Sequence, residues 1–577
     1  MLRRVMGSYH FTGAGILQRS STMASPGVLA ELSALVPHDV ATITDVSLLL
    51  ESFEASARQC QSPAVRDAFS GSGLAPVLPA FLASVAKDLA SHAPAVPMAA
   101  HDGDDDGFGY SYTTTKQGGD MAPEATATFV DTASAERAIY ILLSTYRFLR
   151  NVCVQNPENQ TLLQPIVLQT ILQIDANVRW MSTDDDVLKE LLVLTTQVML
   201  QFLGNVAVHH DDNQRVLWPL LQPALLEKIL VEGQVHRKLL GYATAAALNC
   251  LHSPQDGTAR AEELATRRRP LLTLLLQRCL THGSAGEDAV DQAEDPAFEW
   301  IVLLFRQLFQ RQRTAEMYRS LSASLLSTLW SKLTPEQILL LRMLDMCLST
   351  EEAAAAQVHA TDDPTLLAFF LHEYVVLHSA ADTARPDDAA GEDAPSVDRQ
   401  AMWAAMEIEA SKLMLHILGT LTTTLPPAAL AAADVRDLVL SFVPVLVQQM
   451  QRASASRQGD LTNKPQAPTE HAEYYYGYKS AGVRVLGNLV HRNPVVQDLM
   501  RSCGGIEVLL NSCNIDETNP MIREWALVAL RHACEGCEAN QEYIKALAPQ
   551  GVHSEVDLAK MGAKAVVENN KVKLEPM

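Results

Sequence analysis

Aromatic residues make up only 6% of this 577-residue chain, and Gly and Pro stand at 28 each, a balance that favours helices over sheets. Long apolar runs are missing as well. Even Leu438 to Val447, LVLSFVPVLV, is interrupted by Pro444 and stops short of the roughly 18 residues a membrane helix needs, so a soluble chain without membrane insertion is expected. Basic residues are scarce: 45 Lys and Arg face 67 Asp and Glu, a formal net charge of −22 that opposes a sequence-independent grip on nucleic acid and favours basic or neutral partners. The nine cysteines, spread from Cys60 to Cys537, form no dense framework and are odd in number, which fits a reducing, cytoplasmic setting. Cys534 and Cys537 form a CxxC without the second pair of a zinc site, and two small residues on a packed helix explain it better. The chain has no P-loop, dinucleotide glycine fingerprint, HExxH or nucleophile elbow, so neither an enzyme nor a cofactor is expected.

What is present is a 48% apolar content rich in Leu, Ala and Val, together with internal repetition. Four windows share one frame: FLRNVCVQNPENQTLL from Phe148, FLGNVAVHHDDNQRVL from Phe202, VLGNLVHRNPVVQDLM from Val485 and ALRHACEGCEANQEYI from Ala529. Leu149, Leu203, Leu486 and Leu530 each stand two residues before Asn151, Asn205, Asn488 and His532, and nine residues beyond those come Gln160, Gln214, Gln497 and Gln541. An apolar helix ends near the Asn, and the next opens at Asn156-Pro157 or Asn493-Pro494, where Asn accepts from orphan N–H groups and Pro fits the first helical position. Ala481, Gly482 and Gly487 are small enough to admit a close neighbouring helix. Asn488 to His532 is 44 positions and so is Asn205 to Asn249, a degraded copy in which Ala247 replaces Leu and Gly257 the downstream Asn. Armadillo and HEAT repeats run at about 40–47 residues. The expected fold is therefore all-α: an armadillo/HEAT-like, right-handed α-solenoid with disordered acidic inserts and a small C-terminal β-hairpin.

The organisation follows from the interruptions. A flexible tail covers 1–25, helical repeats 26–380 with polar inserts at 100–122 and 283–295, an acidic linker 381–401, a second helical block 402–547 with an insert at 453–473, and a tail or hairpin 548–577. In the hairpin, Asn569-Asn570 forms the turn and Val567 faces Val572. The first thirty residues carry Arg3, Arg4 and Arg19 and no acid, compatible with a transit peptide; an unstructured tail, or an upstream start with Met23 as initiator, accounts for the same letters.

The stretch from Gly487 to Ile544 resembles the C-terminal region of the ataxin-10 family, most specifically in NSCNIDETNPMIREWA, where Asn511, Cys513, Asn514, Ile515, Asp516, Asn519, Pro520, Ile522, Glu524, Trp525 and Ala526 match the family's pattern. The ending VENNKVKLEP is similar too. The resemblance implies an armadillo-like solenoid without known catalysis that acts through protein contacts, with members associated with cytokinesis, cell survival and cilia. A fungal branch named for copper transport leaves metal homeostasis as the alternative. Asp516 or Thr518 is expected to cap a helix beginning near Asn519-Pro520, with Trp525 on its apolar face beside Leu527, Val528 and Leu530, and Cys513 as a small buried residue.

Armadillo-type nuclear-import receptors place a Trp four residues before each groove Asn; here those positions hold Arg147, Gln201 and Arg484. Asn151, Asn205 and Asn488 are accordingly read as structural, bonding backbone across a junction, and a cargo importer is disfavoured. His209 to Asp212, HHDD, has metal-binding letters but falls in the turn between repeats, where a solvated loop is expected. Thr266 to Pro270, TRRRP, reads as a helix end, with a localisation signal or basic patch as alternatives. Partners are expected to be proteins, held along the concave solenoid face.

Overall fold

The computed structural model describes residues 27–93, 129–221, 226, 228–229, 237–283, 296–322, 332–349, 364–379, 397–424, 432–458, 476–514, 516–547, 562–568 and 571–576. The N-terminal tail, the insert at 100–122, most of the insert at 283–295, and Ile515 lie outside them. Among the described residues nearly all regular structure is helical, and the strands are those of one antiparallel hairpin, Ala563–Glu568 (β1) and Lys571–Pro576 (β2). Its register sets Val567 against Val572, as the Asn-Asn turn predicts.

The chain forms two compact units, Met1–Ser320 and Leu321–Met577. In the first, the helices Val46–Gln59, Thr132–Val152, Asp186–Ala207, Arg237–Leu251 and Pro296–Gln310 pack side by side in chain order. A second layer, including Leu78–His92 and Gln164–Trp180, lies against this row. The second unit repeats the plan with the row Pro335–Ser349, Val397–Thr424, Tyr478–Val490 and Ile522–Cys534. Such two-layer stacks of helix–turn–helix modules are armadillo/HEAT-like architecture.

The sequence puts the division in the acidic segment 381–401; the units instead part between Ser320 and Leu321. The helix Pro364–Ser379 belongs to the second unit because Tyr374 Oη lies 2.9 Å from Tyr478 Oη and Lys332 Nζ donates to Leu377 O at 2.7 Å. Helical structure also encroaches on both expected gaps: Val397–Thr424 begins inside the supposed linker, and Ala433–Gln458 runs into the supposed 453–473 insert. Polar composition there does not prevent helix, since Gln, Arg and Ala propagate it well.

The junctions of the four windows share one construction. Gln155, His209, Arg492 and Gly536 adopt left-handed backbone, with φ of 52°, 53°, 53° and 70°, and the next residue opens the following helix. Asn156 and Asn493 accept from Asn159 N and Val496 N, with Pro157 and Pro494 behind them, as expected of Asn-Pro openings. Leu149, Leu203 and Leu486 are fully buried between layers, while Leu530, in the last repeat, is only half-buried. A Cβ on Gly487 would stand 3.0 Å from Ala529 Cβ, and one on Gly482 3.0 Å from Met450 Sδ, so the small residues do admit close neighbours.

Among the described residues one helix, Asp186–Ala207, is long and apolar enough to cross a membrane by length and composition, contrary to the expectation from the sequence. It is an interior member of the stack, with neighbours on both sides and fourteen buried side chains. That burial explains its composition.

Gly257 shows why one repeat departs from the pattern. A Cβ there would collide with Leu251 O and lie 2.7 Å from Arg311 Nη2, the group that donates to Leu251 O at 2.7 Å. Gly257→Ala is expected to lower stability by about 1–3 kcal/mol, read as a reduced urea midpoint at unchanged slope.

Candidate functional site

The repeat residues converge on the carbonyls that a helix cannot satisfy within itself. At the end of Asp186–Ala207, Asn205 O and Val208 O accept from Gln160 Nε2 at 2.8 and 3.0 Å, Val206 O from Asn213 Nδ2 at 2.9 Å, and Ala207 O from Gln214 Nε2 at 2.8 Å. At the end of Ile522–Cys534 the set recurs: Gln497 Nε2 reaches His532 O and Glu535 O, both at 2.9 Å, Asn540 Nδ2 reaches Ala533 O at 2.8 Å, and Gln541 Nε2 reaches Cys534 O at 2.9 Å. Carboxamides from two successive repeats thus close one helix end.

A second rung runs backwards. Asn205 Nδ2 donates to Arg150 O, Asn249 Nδ2 to Gly204 O, and Asn151 Nδ2 to Ala57 O, at 2.9, 3.1 and 2.8 Å, while His532 Nδ1 lies 2.9 Å from Gly487 O. Asn488 Nδ2 donates to Gly419 O at 3.2 Å, which exposes an unread repeat: Leu418-Gly419-Thr420 stands where Leu486-Gly487-Asn488 stands. The copy at Asn249 is intact in this respect, and Arg260 Nη1 takes over the missing Asn's bond, donating to Cys250 O at 2.8 Å. The downstream Asn of the frame, Asn159, Asn213 and Asn540, stands directly before the Gln in three windows. Their donors join repeats directly, Asn213 Nδ2 to Gln160 O at 2.8 Å and Asn540 Nδ2 to Gln497 O at 3.0 Å.

Because those amides are spent on backbone, the surface free for contact is the one a turn earlier. In the first unit Arg147 Nη1 meets Glu54 Oε1 at 2.7 Å and Arg150 Nη1 donates to Gln201 Oε1 at 2.6 Å, with burial pushing the Arg150 pKa down. In the second unit a band crosses four successive helices: Arg342 pairs with Glu409 at 2.5 Å, Asp345 faces His416 at 3.7 Å, and Arg484 lies 5.8 Å from the centre of the Trp525 ring. Burial also lowers the Arg484 pKa, and Asp345 opposes that shift.

The other candidates resolve into structure. His210 is a helix N-cap rather than a loop residue: Nδ1 accepts from Asn213 N at 3.2 Å, and Nε2 lies 2.8 Å from Thr161 Oγ1. Among the described residues no group of three or more His, Cys, Asp or Glu is placed to hold a metal. Cys534 closes one helix and Cys537 precedes the next, with the Cys534 thiol pKa raised by burial and then by Cys537. Cys60 and Cys250 are buried, their thiols pushed up to about 12, which leaves little thiolate for nucleophilic chemistry. In TRRRP, Arg268 pairs with Glu263 at 2.7 Å and Arg269-Pro270 opens the next helix.

The segment Asn511 to Trp525 caps a different helix from the one expected. Asn519 Oδ1 accepts from Lys479 N at 2.8 Å, at the start of Tyr478–Val490; Asn519 Nδ2 donates to Asp516 Oδ2 at 2.9 Å; Lys479 Nζ pairs with Asp516 at 2.7 Å. The helix after Pro520 starts only at Ile522, preceded by Met521 at φ 60°. Trp525 is not in the core: Ile522, Ala526, Ala529 and Ala533 form the buried stripe, and Trp525 is 38% exposed, with Leu527 and Val528 exposed as well. No further repeat covers this helix among the described residues. Cys513 is half-buried, its Sγ 3.4 Å from Leu509 O, and Asn511, Asn514, Pro520 and Glu524 are exposed.

The family model described as the spinocerebellar ataxia type 10 protein domain matches residues 478–575, from the helix that Asn519 caps to the hairpin. Ataxin-10 of Xenopus tropicalis is 25% identical over 435 residues, covering 74% of this chain and 79% of its own length; Ataxin-10 of Homo sapiens is 23% identical over 442 residues, covering 76% and 82%. These matches support a relationship to the ataxin-10 family. The Ataxin-10 homolog of Dictyostelium discoideum reaches 40% identity over 100 residues, 17% of this chain and 16% of its own, so similarity to it is concentrated in a short stretch. Among solved structures, a chain from work on a phosphorylation switch controlling the interaction between cadherin and beta-catenin covers 88% of this chain and 94% of its own at 12% identity and a TM-score of 0.27. The similarity and the helical stack together support a helical scaffold.

Two expectations follow for this architecture. Asn213→Asp keeps the shape but sets a carboxylate against Gln160 O and Val206 O, so it is expected to cost more than about 3 kcal/mol in chemical denaturation. Separately, burial first, then Lys332 and Arg452, hold the His378 pKa down to about 4 while its Nε2 lies 2.9 Å from Ser411 Oγ. The unfolded chain takes up that proton below pH 6.5, so stability present above 6.5 is lost as pH falls towards 4, by about 3 kcal/mol in all. His378→Asn should flatten that slope in melts taken across the same window.

Proposed function

We propose that this chain is an ataxin-10-type adaptor: a non-enzymatic, cytoplasmic scaffold that binds other proteins along the concave face of its helical stack and serves cytokinesis, cell division or cytoskeletal signalling. The observation that carries the reading is the Arg484–Trp525 pair, an exposed indole beside a guanidinium on the surface that also carries the Arg342–Glu409 and His416–Asp345 pairs. Exposed Trp and Arg contribute disproportionately to protein contacts, because each buries a large surface at modest conformational cost. A partner segment laid across Arg342, Asp345, Glu409 and Arg484 would meet alternating charges that fix its register. The net charge of −22 favours a basic partner and a salt-dependent approach.

Proximity labelling in the native cell identifies the partners, and recovery from the full chain and from Trp525→Ala tests the face. Recovery should fall at least tenfold with thermal unfolding unchanged. Equal recovery of every partner by the variant would remove this face from the proposal.

A further inference from the structure

The last repeat is unfinished. Leu527 stands 44 positions after Val483, which is fully buried inside the stack, yet Leu527 is 53% exposed. Gln497 reaches forward to His532 O and Glu535 O, whereas its counterpart Gln541, itself exposed, donates only backwards to Cys534 O. A stack of repeats ordinarily ends in a polar face, because an apolar one left open invites association.

The hairpin has the complementary deficiency. Its register puts Ala563, Ala565, Leu574 and Pro576 on one face, and Lys564, Val566, Lys573 and Glu575 on the other, with Leu574 64% exposed. A lone two-stranded ribbon is marginal in water and gains stability by laying such a face on a helix. Residues 548–561 join Leu547 to the ribbon; at about 3.4 Å per residue they reach about 48 Å, ample to bring it back over the end of the stack.

We infer that the ribbon Ala563–Pro576 docks its apolar face on the open end of the last repeat at Leu527 and acts as the solenoid's C-terminal cap. Tethering favours this occupant over a second copy, since a short linker gives an effective concentration of order millimolar, far above that of the chain in dilute solution.

Hydrogen exchange of the ribbon amides in the full chain, at a concentration where sedimentation shows a monomer, tests the cap. Protection is expected, and Leu527→Asp should reduce it at least tenfold while helicity and melting hold. In a second measurement, the full chain carrying Leu527→Cys is labelled with maleimide and mapped by peptide mass. Labelling at 527 should be slow, and at least tenfold faster when Leu574→Asp is added. Fast ribbon exchange in the monomer, protection indifferent to Leu527→Asp, or labelling indifferent to Leu574→Asp would each overturn the cap. Burial of residue 527 only where sedimentation shows dimers would assign the surface to a second copy instead.

Discussion

The constraint on which the structure depends is the set of carbonyls at each helix C-terminus. A helix leaves its last carbonyls without intrahelical partners, and packing it inside a stack removes the water that would serve them. Here the partners are primary amides. Both hydrogens of Asn213 go to carbonyls, and Gln160 and Gln497 each serve two carbonyls of the following repeat. Since each amide bonds a neighbouring module, closing one helix end also sets the spacing of the next, and the hydrophobic spine at Leu149, Leu203 and Leu486 is held in register.

The same economy shapes function. Asparagines that a different armadillo protein could turn towards a bound peptide are occupied with backbone, and the proposed contact surface is therefore built from the residues beside the ladder: Arg147 and Arg150 in one unit, Arg342, Glu409, Arg484 and Trp525 in the other. Their alternating charge is better suited to reading a side-chain pattern than to gripping an extended backbone. The family segment has a comparable double use. Asp516 and Asn519 complete the start of the preceding helix, and the turn they form delivers Trp525 to the surface next to Arg484.

Much of this was legible in the letters. The Leu–Asn–Gln frame marks the junctions because a helix end, a left-handed residue and a cap must occur at fixed separations along the chain. The hairpin was legible for a similar reason, as a two-residue turn fixes strand register. Other features were not. Thr420 in place of Asn hid one repeat, because its hydroxyl bonds its own helix at His416 O while Gly419 O still receives the next Asn. Arg260 in place of Asn likewise preserves a bond with a different side chain.

The sequence alone determined the helical class, the module frame, the caps at Asn156 and Asn493 and the ribbon register, all consequences of interactions between residues close in the chain. Tertiary structure decided which repeat Asn519 caps, where the two units part, that His210 is a cap and not a ligand, and that Trp525 faces outwards. Each of these turns on whether a neighbour from elsewhere in the chain is present. Trp525 has the periodicity of a core residue, yet the buried stripe of its helix runs through Ile522, Ala526, Ala529 and Ala533 and leaves it exposed beside Arg484.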